Sequence, residues 1–265
     1  MLKYDFIAMS LNEDISDSYL RFKPYLEQNL IQLLNLPSFR KHLDRDRFLK
    51  NKNCLTSEES VFSRTGTVNH NRNRMDNYVC DRSSKLINAM MVTDEFSEYA
   101  QWLDILSIGP RNENELYACL AAGTPKENIK AIDLISGSDW VEQGDMHSIK
   151  FSDNSFDVVI VGWVLAYSKK VELAVKEIAR VLRPGGLIAI GWDTVFESND
   201  HNAEDFLIQS EGKQIQTSKD IIDIFSDFKP DIIIQKDSIY PWSISGRQNI
   251  CVIRLPKGSN KDIGN

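Results

Sequence analysis

From Asp104 onward, short apolar runs alternate with stretches of helical period, and this alternation constrains the fold more than any other feature of the chain. "ILSIG", "NIKAIDL", "FDVVIVGWVL" and "LIAIGWD" are short and almost continuously apolar, as strands buried on both faces are. Between them "ENELYACLAAG" and "KKVELAVKEIARVL" read as helices, the first closed by Gly123, and "RPGG" reads as a turn. "TSKDIIDIFSDF" adds a short helix capped by Thr217 or Ser218, and "KPDIIIQKDSI" and "QNICVIRLP" are the last two strands. Strands that alternate with helices make βαβ units and a mostly parallel sheet. The final two strands are joined by only about ten residues, Pro241 and Gly246 among them. That is too short for a crossover helix, so these two pair antiparallel.

The first hundred residues follow a different pattern. "DSYLRFKPYLEQNLIQLLNLPSF" places Leu20, Phe22, Tyr25, Leu26, Leu30, Leu33 and Leu34 at helical spacing. "NKNCLTSEESVFSRTGTVNHNRNRMDN" is polar without a period and reads as a long loop, of the kind used as a lid or a binding loop. "DRSSKLINAMMVTDEFSEYAQWL" reads as a helix with Ser83 or Ser84 at its N-cap. The expected division is a mainly helical region over residues 1–100, an α/β domain over 101–257 and a disordered tail over 258–265.

Charge and cysteine content exclude several classes. The net charge of −7 argues against general nucleic-acid binding, although residues 37–85 hold eleven Lys/Arg against six Asp/Glu. Cys54, Cys80, Cys119 and Cys251 have neither zinc-ligand spacing nor a disulfide framework, so no metal is expected and a reducing compartment fits. No run approaches the roughly 20 apolar residues that span a bilayer. A cytoplasmic protein with no membrane partner is expected, as a monomer or a homodimer.

Open α/β sheets bind ligands at the carboxyl ends of their strands. After the first strand come Gly109, Pro110 and Arg111. Asp133 ends the second strand, 24 residues after Gly109, where a carboxylate accepts from both hydroxyls of a ribose. Asp145 lies twelve residues further on and suits an adenine amino group, and Met146 suits the ring face. Gly162 and Trp163 follow the fourth strand, and Trp192 and Asp193 the fifth.

"GDMHSIKFSDNSFDVVIVGWVLAYSKKVELAVKEIARVLRPGGLIAI" resembles class I S-adenosylmethionine-dependent methyltransferases. In that family an acidic residue, a stretch near "PFPDNSFDVV", a helix and "EI-RVLKPGG" recur in this order. "LSIGPRNENE" falls where the family's glycine-rich first motif stands. The resemblance covers about residues 103–195. It implies an α/β, Rossmann-like seven-stranded mostly parallel sheet with an antiparallel last strand, here preceded by a mainly helical N-terminal region. It implies S-adenosylmethionine as cofactor and S-adenosylhomocysteine as product. Its cofactor-binding positions fall on Ser107, Gly109, Pro110, Arg111, Glu113, Asp133, Leu134, Asp145, Met146, His147, Gly162 and Trp163. Ser107 stands where the family has an acid, and Arg111 and Glu113 replace later glycines, so Arg111 is a candidate partner for the methionine carboxylate.

His147, Trp163 and Tyr167 are the candidate catalytic residues: a general base, a wall of the transfer pocket and a substrate-facing tyrosine. Arg64, His70, Arg72 and Arg74 are candidates to meet an anionic acceptor. The expected activity is methyl transfer to O or N of a small molecule such as a metabolite, natural product or saccharide precursor. The alternatives are a peptide or protein acceptor, including carboxyl O-methylation, and a catalytically silent S-adenosylmethionine binder. No G-x-G-x-x-G follows the first strand, which disfavours a nicotinamide dehydrogenase.

Overall fold

In a computed structural model the described residues are 30–75, 82–194, 215–237 and 248–256. The apolar spacing over Leu20–Leu26 and the tail over 258–265 lie outside them. The helices are α1 (Leu30–Leu33), α2 (Pro37–Asn51), α3 (Thr67–Arg74), α4 (Ser83–Met90), α5 (Asp94–Tyr99), α6 (Asn114–Ala121), α7 (Val171–Val181) and α8 (Ser218–Ile224). The strands are β1 (Thr56–Ser57), β2 (Ile105–Ile108), β3 (Ile129–Asp133), β4 (Ile135–Ser136), β5 (Glu142–Gln143), β6 (Phe156–Gly162), β7 (Leu182–Asp193), β8 (Asp231–Lys236) and β9 (Gln248–Arg254).

Seven strands form one sheet in the order β5-β3-β2-β6-β7-β9-β8. β5, β3, β2, β6 and β7 run parallel, and β9 is antiparallel to both β7 and β8. This is the expected Rossmann-like sheet with its antiparallel ending. Successive residues alternate between two cores: Val158 and Ile160 of β6 join Leu43, Leu86, Phe96 and Leu116 on one face. Val159 and Val161 join Val175, Ile178 and Phe225 on the other. Both faces are thus covered, which is why the strands read as continuous apolar runs. Among the described residues no helix is long and apolar enough to cross a membrane.

Several boundaries differ from the reading by period. The expected helix over 82–102 is broken into α4 and α5, because Thr93 adopts an extended conformation and caps Phe96 N–H. Arg82, not Ser83 or Ser84, precedes α4, and it makes no side-chain cap. Residues 183–186 are not a free turn: "RPGG" forms a bulge inside β7, so Phe156 pairs with Leu182 but Val158 with Leu187. Gly185 takes φ 88° there. Gly123 ends α6 as expected, at φ 107°, with Thr124 N–H bonded to Cys119 O. Thr217 and Asp220 form a reciprocal capping box on α8.

The largest difference lies before the sheet. The polar segment expected as a loop contains β1 and α3, and it crosses the carboxyl ends of the parallel strands as a strap. β1 pairs antiparallel with β4, directly after Asp133. Further along, Arg64 N–H donates to Tyr167 O and Lys169 N–H to Phe62 O.

Candidate active site

The loop after β2 is built by backbone conformation. Gly109 N–H donates to Ile132 O at 2.8 Å, tying the loop to β3. Gly109 has φ 71°, and a Cβ on it would lie 2.1 Å from Val164 Cγ1, so no other residue fits. Arg111 takes φ 64°, a left-handed conformation rare outside glycine, in a turn closed by Asn112 N–H to Pro110 O at 2.7 Å. This aims the Arg111 N–H at Asp133 Oδ2, 2.8 Å away. This left-handed conformation is held here by an arginine, and the bond to Asp133 fixes it.

Asp133 also accepts from Ile135 N–H at 3.2 Å and is 8% exposed. Burial pushes its carboxyl above the ordinary range, and the N–H groups of Ile135 and Arg111 oppose that rise. Each oxygen keeps a lone pair for a further donor. Asp145 Oδ1 accepts from the backbone N–H of His147 at 2.9 Å and from its ring Nδ1 at 2.5 Å, and Oδ2 accepts from the Ser60 hydroxyl. Burial alone would raise the Asp145 carboxyl, but the hydrogen bonds from the His147 ring, Ser60 and the His147 backbone hold it below its usual value.

Gly109, Asp133, Leu134, Asp145, Met146 and Tyr167 meet in one cleft. The strap roofs it with Ser63, Thr67 and Asn71. The Arg111 guanidinium donates to Asn71 Oδ1 at 3.0 Å, which joins loop to roof.

Other expected residues stand elsewhere. Glu113 is 2% exposed and faces away from the cleft, where it binds Arg47, Tyr117 and Ser138 in a buried network. That network borders a second cleft, also lined by Asp44 and Arg111. Ser107 is fully buried and donates to Glu115 Oε1 at 2.5 Å. Glu115 stands on α6, and its carboxylate comes within 3.0 Å of a Cβ built on Gly162.

Trp163, at φ 60°, lays its ring across Gly191. Its Nε1–H donates to Asp193 Oδ1 at 2.9 Å, and Arg82 binds Asp193 Oδ2 at 2.8 Å while sitting 5.6 Å from the indole centroid. This places Trp163 just past the end of β6 and over the last residues of β7, outside the cleft lining. His147 is 4% exposed, with Nε2 on Ser168 Oγ at 2.7 Å, so both ring nitrogens are engaged and neither is open for proton transfer.

Of the four expected acceptor-binding residues, the three whose side chains are described do not form one cationic surface. Arg64 is 1% exposed and belongs to the interior. His70 is buried against Tyr167, with Nε2 3.3 Å from its hydroxyl. Arg72 donates to Ser57 Oγ at 2.7 Å. Arg74 ends α3, and its side chain lies outside the described residues. Sequence reasoning missed Ser60, Asn71, Glu115 and Arg82. Only the buried acid on an otherwise apolar α6 face offered a signal.

Residues 116–190 match the family model for the methyltransferase domain. This stretch, which runs from α6 to β7, is thus similar to a methyltransferase domain. Among curated relatives, a demethylmenaquinone methyltransferase of Desulfitobacterium hafniense (strain Y51) is 39% identical over 64 residues, 22% of this chain and 25% of that protein. One from Staphylococcus haemolyticus (strain JCSC1435) is 47% identical over 45 residues, 17% of this chain and 19% of that protein. The chain thus matches only a quarter or less of the length of these relatives. Of the solved structures, the complex between the Haloferax volcanii Trm112 methyltransferase activator and a putative methyltransferase superposes with a TM-score of 0.51 at 18% identity. It covers 71% of this chain and 93% of that one. The CurJ carbon methyltransferase gives 0.51 at 12% identity, covering 92% and 72%. These two likenesses concern the fold alone.

Proposed function

We propose that the chain transfers a methyl group from S-adenosylmethionine to O or N of a small acceptor. The observation that carries this reading is the convergence of Gly109, Asp133, Asp145 and Met146 on one roofed cleft at the carboxyl ends of β2, β3 and β5. The donor set suits a nucleoside: Asp133 faces ribose hydroxyls, Asp145 an exocyclic amino group, and the missing Cβ of Gly109 lets a ligand approach the backbone closely. When bound, S-adenosylmethionine supplies an electrophilic methyl group on a sulfonium.

The protein's share is then positioning and exclusion of water. Asp133 and Asp145 fix the nucleoside end. The strap closes the cleft above it, and that roof is what favours a small acceptor over a folded macromolecule. Trp163, Asp193 and Arg82, at the carboxyl ends of β6 and β7, form a polar wall suited to orient an acceptor that donates a hydrogen bond. With both nitrogens of His147 engaged, proton removal falls to solvent, or is not needed when the acceptor is already deprotonated.

Titration calorimetry with S-adenosylmethionine and S-adenosylhomocysteine tests this reading. The wild type is expected to bind both at micromolar concentration, and Asp133→Ala to weaken both by at least about thirtyfold while keeping its thermal transition. A screen of small acceptors for homocysteine release follows. Absence of wild-type binding at millimolar ligand would overturn the assignment.

A further inference from the structure

Asp145 sits at one end of a directed chain of hydrogen bonds that cofactor binding by itself does not require. A carboxylate only accepts, so the His147 Nδ1 that lies 2.5 Å from Asp145 Oδ1 carries a hydrogen. In the neutral ring that leaves Nε2 as the acceptor, and the Ser168 hydroxyl, 2.7 Å away, donates to it. Ser168 Oγ in turn accepts from Lys170 N–H at 3.0 Å. Each donor meets one acceptor, and the middle of the chain is buried: Ser168 is 0% exposed and the His147 side chain 0%. The Phe62 ring stands against the imidazole at 5.3 Å between centroids. On the carboxylate, Oδ1 is filled by the two His147 donors, and Oδ2 holds the Ser60 hydroxyl and keeps one lone pair beside the cleft.

We propose that this relay, Lys170 to Ser168 to His147 to Asp145, completed by Ser60 from the strap, selects the base of the cofactor, with His147 as a positioning residue. The inference rests on the reading of the cleft as an S-adenosylmethionine site. An exocyclic amino group at C6 donates to Asp145 Oδ2. An oxygen at C6 sets one acceptor against another and leaves the carboxylate unsatisfied, and such a mismatch is discriminated strongly. The selection requires that the carboxylate not swing away from the cleft, and rotation about its own bonds would cost both His147 bonds. The same segments that hold the relay hold the roof: Ser63 bridges to Ser168, and Lys169 N–H donates to Phe62 O at 2.7 Å. Closure of the strap and readout of the base are therefore one structural event.

The probe pair is S-adenosylhomocysteine and its deaminated analogue S-inosylhomocysteine, titrated calorimetrically against the full chain. Wild type is expected to prefer the adenine form by at least about tenfold. His147→Phe keeps a planar ring but no donor. It is expected to bring the preference to within about threefold while changing affinity for the inosine form less than about twofold. His147→Asn, whose amide can still donate toward Asp145, is expected to restore most of the preference. Ser168→Ala, a smaller change that serves should the Phe variant not fold, is expected to lie between. Equal weakening of both ligands in His147→Phe or Ser168→Ala, or an unchanged preference, overturns the relay. Wild type that binds both nucleosides equally overturns it too and leaves the cofactor assignment standing. Wild type that binds neither removes the cofactor assignment and the relay with it.

Discussion

Asp44 provides the sharpest quantitative test of the packing beneath the cofactor loop. It stands on α2, is 3% exposed, and accepts the Glu113 N–H on Oδ1 at 2.9 Å. Burial, first, and the nearby Glu113 carboxylate push its carboxyl from 3.8 up to about 7, against the pull of the Glu113 and Asn114 N–H groups and of Arg47. An acid whose pKa is higher folded than unfolded binds more protons in the native state. Its contribution is fully present below 3.8 and is lost as the pH rises through 7. At about 1.4 kcal/mol per unit the whole effect is about 4 kcal/mol, of which between 2 and 3 kcal/mol falls between pH 5 and pH 8. An unfolding entropy of about 2.1 cal/mol/K per residue makes this about 5 °C for a chain of this size. Asp44→Asn keeps an oxygen for the Glu113 N–H and does not titrate. The melting temperature of the variant minus that of wild type should therefore grow by about 5 °C from pH 5 to pH 8 and level off above. Thermal unfolding followed by circular dichroism in matched ionic strength reads this directly. A gap constant to within about 1 °C over that range would refute the burial argument.

Gly109→Ala meets Val164 Cγ1 at 2.1 Å and a φ of 71°, so it should lower the melting temperature and weaken S-adenosylhomocysteine by at least about tenfold. Adding Val164→Ala should recover only part, because φ is unchanged, and full recovery would show that contact alone mattered. Arg180 donates to Ile149 O, Phe151 O, Asp153 and Glu177. Arg180→Met should therefore lose about 2 kcal/mol in urea unfolding, and a loss under about 0.5 kcal/mol would show these bonds to be solvent-equivalent. Trp163→Phe removes the donor to Asp193 but should leave S-adenosylhomocysteine affinity within about twofold; a tenfold loss would place the indole in the cofactor cleft.

What could be read in the sequence was whatever a periodic apolar pattern carries. β2, β3, β6 and β7 are buried on both faces and so spell out continuous runs, and the short β8–β9 connection fixed their antiparallel pairing. Thr217 and Gly123 act within a few residues of themselves, and both stand at the ends expected of them. Helix α3 was hidden because "TVNHNRNR" has one aliphatic residue in eight, Val68, whose burial against Met75 and Ile135 is joined by the buried polar side chains of Thr67 and His70 rather than by an apolar stripe. Arg111 was legible as a missing glycine, but its left-handed turn depends on Asp133, 22 residues away. Glu113 looked like a loop residue facing ligand; its partners come from α2, α6 and the loop at Ser138, and no local pattern connects those. The bulge in β7 and the break at Thr93 likewise follow from tertiary pairing and packing.

The place of β9 in the sheet has a consequence for how the chain can be made. β9 follows β8 in the sequence but lies between β8 and β7. When β8 leaves the ribosome, the slot that will join it to the sheet is empty, and the Leu187–Asp193 edge of β7 remains unpaired. An apolar edge in that state invites pairing with another chain. A nascent protein stalled before Gln248 would thus carry an adhesive flank, and its solubility would hang on the last strand threading inward rather than adding to an outer rim.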